Sequence, residues 1–322
     1  MKSTLNRTVL AALLLLPFLL AACGPAAEQS TQDYPNTGLL VTTGWLADRL
    51  EEAGLRIVDL RTAERYDQGH VPGAVSVPIA QVAPTVDGLP FEFDRDAVQA
   101  VLDRIGLTPD MTVVAYDDLG MMSSGRFFWT LEYVGHQDVR VLHGGWDAWA
   151  AEGHDTEKGA PPVEASHYPI QPQPERLVTA RQVLARLDRP GTILIDARSP
   201  QEYRGEVKLA DRGGHIPGAV NLPWLLALTG GDAVSTVESD WQAQLQDEDV
   251  ERFKTADEIQ ALLDERAITP DKEAIVYCQT MWRAAHVYFL LRLMGFENVR
   301  GYDGSWAEWG NDLTLPIEVG PE

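Results

Sequence analysis

Short apolar runs alternate with helical patterns along most of the chain. Residues 56–60 and 112–116 in the first half, and residues 192–196 and 274–277 in the second half, are rich in β-branched side chains. Continuous apolar runs of this kind are typical of strands that are buried on both faces, as in a parallel sheet. The pattern therefore predicts two groups of buried parallel strands.

Helical patterns lie between the apolar runs. Thr255 and Glu258 have the spacing of a capping box, which predicts a helix that continues through Leu263. A second pattern runs from about Arg283 through Met294, and the glycine that follows suits a C-terminal stop. Alternating strands and helices predict an α/β fold in which helices flank a mostly parallel sheet.

The chain contains an internal repeat. Three motifs recur in the same order, namely VDLR and IDAR at 58–61 and 195–198, GHVPGAV and GHIPGAV at 69–75 and 214–220, and GGWDAW and GSWAEW at 144–149 and 304–309. The second copy is longer, and its first insertion lies between Tyr203 and His215. Such self-similarity predicts two tandem domains of one fold.

These patterns divide the 322 residues into five segments. The segments are a signal peptide at 1–22, a flexible tether at 23–37, a first domain at 38–160, a proline-rich linker at 161–175 and a second domain at 176–319. The prolines make the linker stiff. Two domains also agree with the usual size of roughly 100–200 residues per domain.

The N-terminus has the pattern of an export signal. Lys2 and Arg7 precede an apolar run at 9–22. This run is shorter than the ~20 residues that span a bilayer. The run ends in LAAC at 20–23, which resembles the lipobox of bacterial lipoproteins. The resemblance implies lipidation of Cys23 after export, with the protein anchored on the outer side of the cytoplasmic membrane or at the periplasmic face of the outer membrane. An ordinary secretory signal that leaves Cys23 unmodified is the alternative.

The net charge of −22 limits the classes of partner. So acidic a chain has no basic surface for nucleic acid and no polybasic attraction to anionic lipid, so we expect membrane contact only through the lipid anchor. An anionic substrate would need a local cationic pocket. Two cysteines exclude a disulfide framework and a multi-cysteine metal site.

Cys278 has the sequence context of a reactive cysteine. It follows directly on the apolar run at 274–277, and a helical pattern begins about five residues later. Its sulfur should therefore lie at the carboxyl end of a parallel strand, where open α/β sheets bind ligands. Free amides at the helix start favour an anion, including a thiolate, and Arg283 adds a forked cation that suits an oxyanion. A buried, inert cysteine is the alternative.

The second copy resembles the catalytic half of a tandem rhodanese, a thiosulfate or 3-mercaptopyruvate sulfurtransferase. Four motifs carry the resemblance: DARSPQEY at 196–203, GHIPGAVN at 214–221, YCQT at 277–280 and YDGSWAEW at 302–309. In that family a six-residue active loop begins at the cysteine, here CQTMWR at 278–283. Cysteine phosphatases place the arginine one position later, where this chain has Ala284, so the loop length disfavours phosphatase chemistry.

The resemblance implies a reaction in two steps and no cofactor or metal. The thiolate of Cys278 takes the outer sulfur of thiosulfate as a persulfide, and a thiol or cyanide then removes that sulfur. The residues expected around the substrate are Arg283, Gln279, Thr280, Met281, Trp282, Arg198 and Arg204. For Arg198, a buried pair with Asp196 is the first interpretation and substrate contact the second.

The first copy serves as an internal control. It has Asp117 and Asp118 after the strand where the second copy has Cys278. A carboxylate cannot hold a persulfide, so we expect the first copy to be catalytically silent. Residues that occur in both copies cannot by themselves confer activity, so Asp196, His215 and Trp306 are interpreted as structural support. The insertion at 204–212 either supplies a local positive field or is a solvated loop.

Three alternatives remain open at this point: mercaptopyruvate as the donor, a persulfide carrier that does not turn over, and a surface protein with a relic site. Mercaptopyruvate enzymes of the family have small residues after the cysteine, whereas CQTMWR resembles the thiosulfate pattern. Met281 and Trp282 are bulky, and either narrow the mouth of the loop or pack against the first copy. We expect a monomer, because the two copies can pack on each other as a pseudo-dimer.

Overall fold

The computed structural model describes residues 33–82, 94–231 and 252–320. The expected signal peptide at 1–22, the lipidation site Cys23 and most of the expected tether lie outside the described residues. Within those three ranges, no helix has the length and apolar character needed to cross a membrane.

The first repeat forms a five-stranded parallel sheet in the order β1-β5-β4-β2-β3. Its strands are β1 (Leu40–Val41), β2 (Leu55–Asp59), β3 (Val75–Ser76), β4 (Thr112–Tyr116) and β5 (Val139–Leu142). Its helices are α1 (Thr43–Ala47), α2 (Ala63–Gln68), α3 (Arg95–Arg104), α4 (Met122–Tyr133) and α5 (Gly145–Ala151).

The second repeat forms a second parallel sheet of the same topology, in the order β6-β10-β9-β7-β8. Its strands are β6 (Leu177–Val178), β7 (Thr192–Asp196), β8 (Val220–Asn221), β9 (Glu273–Tyr277) and β10 (Val299–Tyr302). Its described helices are α6 (Ala180–Leu184), α7 (Pro200–Tyr203), α8 (Ala256–Glu265), α9 (Trp282–Leu293) and α10 (Ser305–Trp309). Two sheets of one topology, flanked by helices, confirm the predicted α/β fold.

Single-turn 3-10 helices and helix caps complete the architecture. The 3-10 helices are Thr37–Leu39, Ile79–Gln81, Pro174–Arg176 and Trp224–Ala227. The predicted capping box is present at the start of α8, where Thr255 and Glu258 exchange side-chain hydrogen bonds with each other's backbone N–H groups. Helix α9 begins at Trp282, within one residue of the predicted start, and Met294 caps its C-terminus.

Helices α4 and α9 pack against each other and join the two repeats. A Cβ atom at Gly125 of α4 would lie 2.9 Å from the Cα of His286 in α9, so the glycine permits the close approach of the two backbones. Phe128 and Phe289 meet edge to face with their ring centroids 4.9 Å apart. One continuous hydrophobic core contains side chains of both repeats.

Candidate active site

Cys278 lies at the carboxyl end of β9, a strand with neighbours on both sides in the second sheet. The chain turns from this strand into α9 within four residues. Met281, with φ at 64°, takes the left-handed conformation at the N-cap of the helix. A tight strand–loop–helix connection therefore places the sulfur beside the start of α9, as the sequence predicts.

Ser305 anchors the backbone of this loop. Its Oγ accepts hydrogen bonds from the N–H groups of Cys278 and Met281, at 3.3 and 3.1 Å, and donates to the carbonyl of Tyr302 at 2.8 Å. The N–H of Trp306 donates to the carbonyl of Cys278 at 2.9 Å. The start of α10 thus fixes the loop from the side of β10.

Several amides of the loop remain without an acceptor within the described ranges. They belong to Gln279, Thr280, Trp282, Arg283 and Ala284. The first amides of a helix have no partner inside that helix, and amides so grouped bind anions. The loop can therefore stabilise negative charge on sulfur by backbone donors alone.

The first repeat holds an anion at the equivalent position. Asp117 follows β4 as Cys278 follows β9, and its carboxylate accepts hydrogen bonds from the backbone N–H groups of Leu119, Met121 and Ser124 at 2.8, 3.1 and 2.6 Å. Burial raises the pKa of Asp117, and these hydrogen bonds oppose the rise. Three amides of the first loop are thus already paired with the loop's own carboxylate.

Cys278 is buried, with 1% of its surface exposed, and it is the one free cysteine in the described part of the chain. Burial by itself also fits an inert cysteine. The side chain packs in the hydrophobic core, but the loop amides that follow it have no acceptor in the described ranges, and it interacts electrostatically with Arg283. These two features favour a reactive cysteine. Burial lowers the pKa of Arg283, but its hydrogen bonds and charge attraction to Glu202 raise that pKa above its ordinary value, and Cys278 adds to the rise.

Arg283 is already paired. Its Nη1 and Nη2 donate to Oε2 and Oε1 of Glu202 at 2.6 and 2.9 Å, which is the bidentate geometry of a strong ion pair. Glu202 lies in α7 and also accepts from the N–H and Oγ of Ser199. Burial raises the pKa of Glu202, but the hydrogen bonds and charge of Arg283 outweigh it and lower the pKa to about 2.

Comparison with known proteins decides the family. A family model described as the rhodanese-like domain matches residues 42–152 and 179–312. The chain belongs to the rhodanese family. The two matched segments correspond to the two sheets, so the protein is a tandem-domain rhodanese and a sulfurtransferase of that family.

Three relatives illustrate the similarity. The chain is 35% identical to the thiosulfate sulfurtransferase of Azotobacter vinelandii over 89% of this chain and 99% of that protein. It is 32% identical to the sulfur carrier protein TtuD of Thermus thermophilus, over 90% and 99% of the two chains. The crystal structure of SseA from Escherichia coli, a 3-mercaptopyruvate sulfotransferase with the rhodanese fold, matches with a TM-score of 0.69 at 27% identity, over 83% and 98%.

Asp196 and Arg198 of this rhodanese form the expected buried pair. The carboxylate and guanidinium lie 2.6 Å apart, and the guanidinium stacks over the ring of Trp306 at 4.5 Å. Asp59 and Arg61 form the same pair at 2.6 Å in the first repeat. Because Arg198 is 1% exposed, it lies beneath the sheet end rather than at the mouth of the loop.

His215 also makes the same contacts as its twin in the first repeat. Its ring stacks on Tyr203 with centroids 3.6 Å apart, and its Nδ1 lies 2.8 Å from the carbonyl oxygen of that tyrosine. His70 stacks on Tyr66 at 3.8 Å with an equivalent contact at 3.0 Å. Equivalent packing in both copies, only one of which has the cysteine, favours a structural role.

Met281 is fully buried and packs toward the first repeat. A Cβ atom at Gly301 in β10 would collide with the Cε of Met281 and with the indole nitrogen of Trp129 in α4. Of the two interpretations of Met281, packing against the first copy is therefore the one that the structure favours. Trp282 is partly exposed and packs against the same core. Thr280, in the loop, is also partly exposed.

The insertion at 204–212 is attached to the site rather than loosely solvated. Gln279 of the loop donates its Nε2 hydrogen to the carbonyl of Leu209 at 2.9 Å. Arg204 is paired with Glu206 at 2.8 Å, and Arg212 donates to several carbonyls at the end of α10, including that of Trp309 at 2.7 Å. These pairings limit the local positive field that the sequence suggested for the insertion.

Two important residues, Glu202 and Ser305, were missed by the sequence analysis. A signal for both was present in the comparison of the two copies. Glu202 is replaced by Arg65 in the first copy, and Ser305 is replaced by Gly145. Differences inside otherwise matching motifs point to residues that serve the active copy alone.

Proposed function

We propose that this rhodanese transfers the outer sulfur of thiosulfate to a thiol or cyanide through a persulfide on Cys278. The contrast between the two loops is the observation that carries the proposal. The amides of the first loop donate to the Asp117 carboxylate, whereas in the second loop a cysteine is followed by amides that have no acceptor in the described ranges. Such a loop suits a reaction in which negative charge collects on sulfur.

The two half-reactions balance without an external oxidant or reductant. The thiolate of Cys278 attacks the outer sulfur of thiosulfate, a new S–S bond forms, and the old S–S bond breaks with its electron pair leaving on sulfite. Cyanide or a thiolate then attacks the outer sulfur of the persulfide. That S–S bond breaks, Cys278 returns as a thiolate, and thiocyanate or a new persulfide leaves.

Thiosulfate as the donor is supported by two observations. A relative named thiosulfate sulfurtransferase is 35% identical over nearly its whole length. The loop CQTMWR lacks the small residues that follow the cysteine in mercaptopyruvate enzymes. Mercaptopyruvate is the competing donor, and the steady-state rates with the two donors compare them directly.

The decisive experiment uses the full chain with Cys23→Ser, so that Cys278 is the only thiol. Incubation with thiosulfate should add one sulfur atom, measured by intact mass, and the additional change Cys278→Ser should abolish the addition. Cyanide should then sustain steady formation of thiocyanate. A chain that gains no sulfur contradicts the proposal.

A persulfide carrier is the second candidate function, because the chain is also 32% identical to the sulfur carrier protein TtuD. A carrier loads once and stops, whereas an enzyme continues to form product with small acceptors. Mass gain without turnover would therefore favour the carrier. Continued turnover with cyanide would favour the enzyme.

The proposed location is the outer side of the cytoplasmic membrane or the periplasmic face of the outer membrane, with Cys23 carrying the lipid. The support is the sequence LAAC at 20–23 after an apolar run. In bacteria that express the chain, labelled palmitate should enter the wild type and be absent from Cys23→Ser. Equal labelling of both would refute the anchor, as would no labelling of either.

A further inference from the structure

One helix position faces the loop in both repeats, with opposite charge. Glu202 of α7 pairs with Arg283 of the second loop. Arg65 occupies the equivalent position in α2 and pairs with Asp118 of the first loop. In the second repeat a loop arginine thus pairs with a helix glutamate, and in the first repeat a loop aspartate pairs with a helix arginine.

The pair in the active copy is built into the fold. The side chain of Glu202 is 3% exposed, and both of its oxygens contact Arg283. Its Oε2 also accepts from Ser199, which fixes the carboxylate at the start of α7. Both members of the pair therefore hold their charges in place before any ligand arrives.

Arg283 lies five residues after Cys278, and its guanidinium is in contact with the carboxylate of Glu202. Arg283 lies within electrostatic range of the sulfur and attracts an anion there, and the adjacent carboxylate of Glu202 repels it. Because the two opposite charges are in direct contact with each other, they partly cancel, and the net attraction falls below that of an unpaired arginine. The backbone amides of the loop then provide most of the stabilisation of the bound anion.

We propose that Glu202 is a specificity-determining residue that weakens the binding of dianions at Cys278 by compensating Arg283. This inference rests on the proposed function for the identity of the dianions, which are the entering thiosulfate and the leaving sulfite. Weak retention of sulfite favours its release after each transfer. The compensation of charge at the sulfur does not depend on turnover.

The first test compares Glu202→Gln with Glu206→Gln in the Cys23→Ser chain. Both variants remove one carboxylate, but Glu206 pairs with the exposed Arg204 and has no contact with Arg283. We expect Glu202→Gln to lower the KM for thiosulfate and the inhibition constant of sulfite by roughly three- to tenfold each. Glu206→Gln should leave both values unchanged. Unchanged or raised values in Glu202→Gln would overturn the proposal.

A double variant covers the case in which Glu202→Gln fails to fold. Glu202→Gln with Arg283→Gln removes both charges and leaves no buried unpaired charge. Since the two charges cancel, the KM for thiosulfate should stay within about threefold of the parent value. A rise of about tenfold or more would show that Arg283 attracts the donor despite Glu202, and would contradict the inference.

Alkylation of Cys278 separates this inference from the proposed function. Iodoacetate is anionic and iodoacetamide is neutral, so the ratio of their rates measures the charge around the sulfur. Glu202→Gln should raise the iodoacetate-to-iodoacetamide ratio by roughly three- to tenfold, and Glu206→Gln should not change it. A changed ratio without thiosulfate turnover would refute the function and keep the charge role. Turnover with an unchanged ratio would refute the charge role alone.

Discussion

Two arginines of the second repeat, Arg198 and Arg283, already have carboxylate partners. Arg198 is held by Asp196 beneath the sheet, and Arg283 is held by Glu202 beside the loop. In the proposed reaction, negative charge on Cys278 therefore depends on backbone amides for most of its stabilisation. At the residue scale, the charge near the sulfur depends more on whether each charged side chain is paired than on how many charged side chains there are.

Glu202 should make the folded protein sensitive to acid. Its pKa of about 2 in the folded state lies below the ordinary value of 4.5, so its ionised form stabilises the fold. That contribution is complete above about pH 4.5 and is lost as the pH falls toward 2, with a maximum of about 3 kcal/mol. Urea unfolding at pH 7 and pH 3.5 should show a smaller loss for Glu202→Gln than for the parent chain.

Glu206→Gln is the control for this measurement, because Glu206 is exposed and pairs only with a neighbouring surface arginine in the described structure. It should lose as much stability between the two pH values as the parent. Parallel curves for all three chains would contradict the assignment of the acid sensitivity to Glu202.

Sequence reasoning found Cys278 and Arg283 because strand, loop and helix start are adjacent in the chain. It did not find Glu202, because that residue lies 81 positions before Arg283 and no local spacing joins them. It also gave Arg283 a direct role toward the substrate, since a carboxylate partner cannot be seen without the tertiary structure. A sequence therefore identifies a charged side chain more easily than it identifies the distant residue that forms an ion pair with it.

At the element scale, the start of α10 sets the shape of the active loop. The hydroxyl of Ser305 receives two loop amides, and Ser305 itself has φ at 52°, in the left-handed region. The first repeat has Gly145 at this position, with φ at 56°. In the second copy, Ser305 therefore keeps a strained backbone conformation, and its hydroxyl accepts two hydrogen bonds from the loop.

Ser305→Ala and Ser305→Gly form a matched pair that separates the hydroxyl from the strain. Both remove the hydroxyl, so both should lower kcat/KM for thiosulfate by roughly ten- to a hundredfold. Only glycine relieves the left-handed backbone, so Ser305→Gly should be more stable than Ser305→Ala by about 1 kcal/mol in urea unfolding. Full activity in either variant would refute the role of the hydroxyl.

The longer elements were predictable and the shortest ones were not. Strands β4 and β9 and helix α8 have apolar runs or a capping box that identify them locally. Strands β3 and β8 contain two residues each, and they exist because they pair with β2 and β7. Pairing with a distant strand depends on the tertiary structure, so no pattern within two residues can predict it.

At the scale of the whole molecule, side chains of the first repeat hold elements of the second. Arg126 of α4 forms a buried ion pair with Asp303, with Nη1 and Oδ1 2.7 Å apart, and Asp303 lies two residues before Ser305. Glu132 of α4 accepts hydrogen bonds from Tyr288 and Arg292 of α9 at 2.6 and 3.0 Å. Side chains of the first copy thus hold the elements that carry the second copy's loop.

Arg126→Leu should reduce both stability and activity although it lies in the silent copy. The substitution leaves Asp303 buried without its partner, which costs about 3 kcal/mol. The shift of Asp303 should also disturb Ser305 and lower kcat. Urea unfolding and thiosulfate turnover measure the two effects, and Arg140→Leu, at a partly exposed pair with Asp138, should change both far less. Equal effects at the two positions would contradict this role.

The contact of Gly125 with His286 has a consequence for how such a chain can evolve. Because α4 and α9 share one core, separating the halves would expose an apolar face of each, and a gene fragment encoding the second half alone should yield a poorly soluble product. We therefore expect the first half to be needed for solubility and folding, whatever its own chemistry. Deletions should be tolerated in its rim loops, and not in the helix that faces its twin.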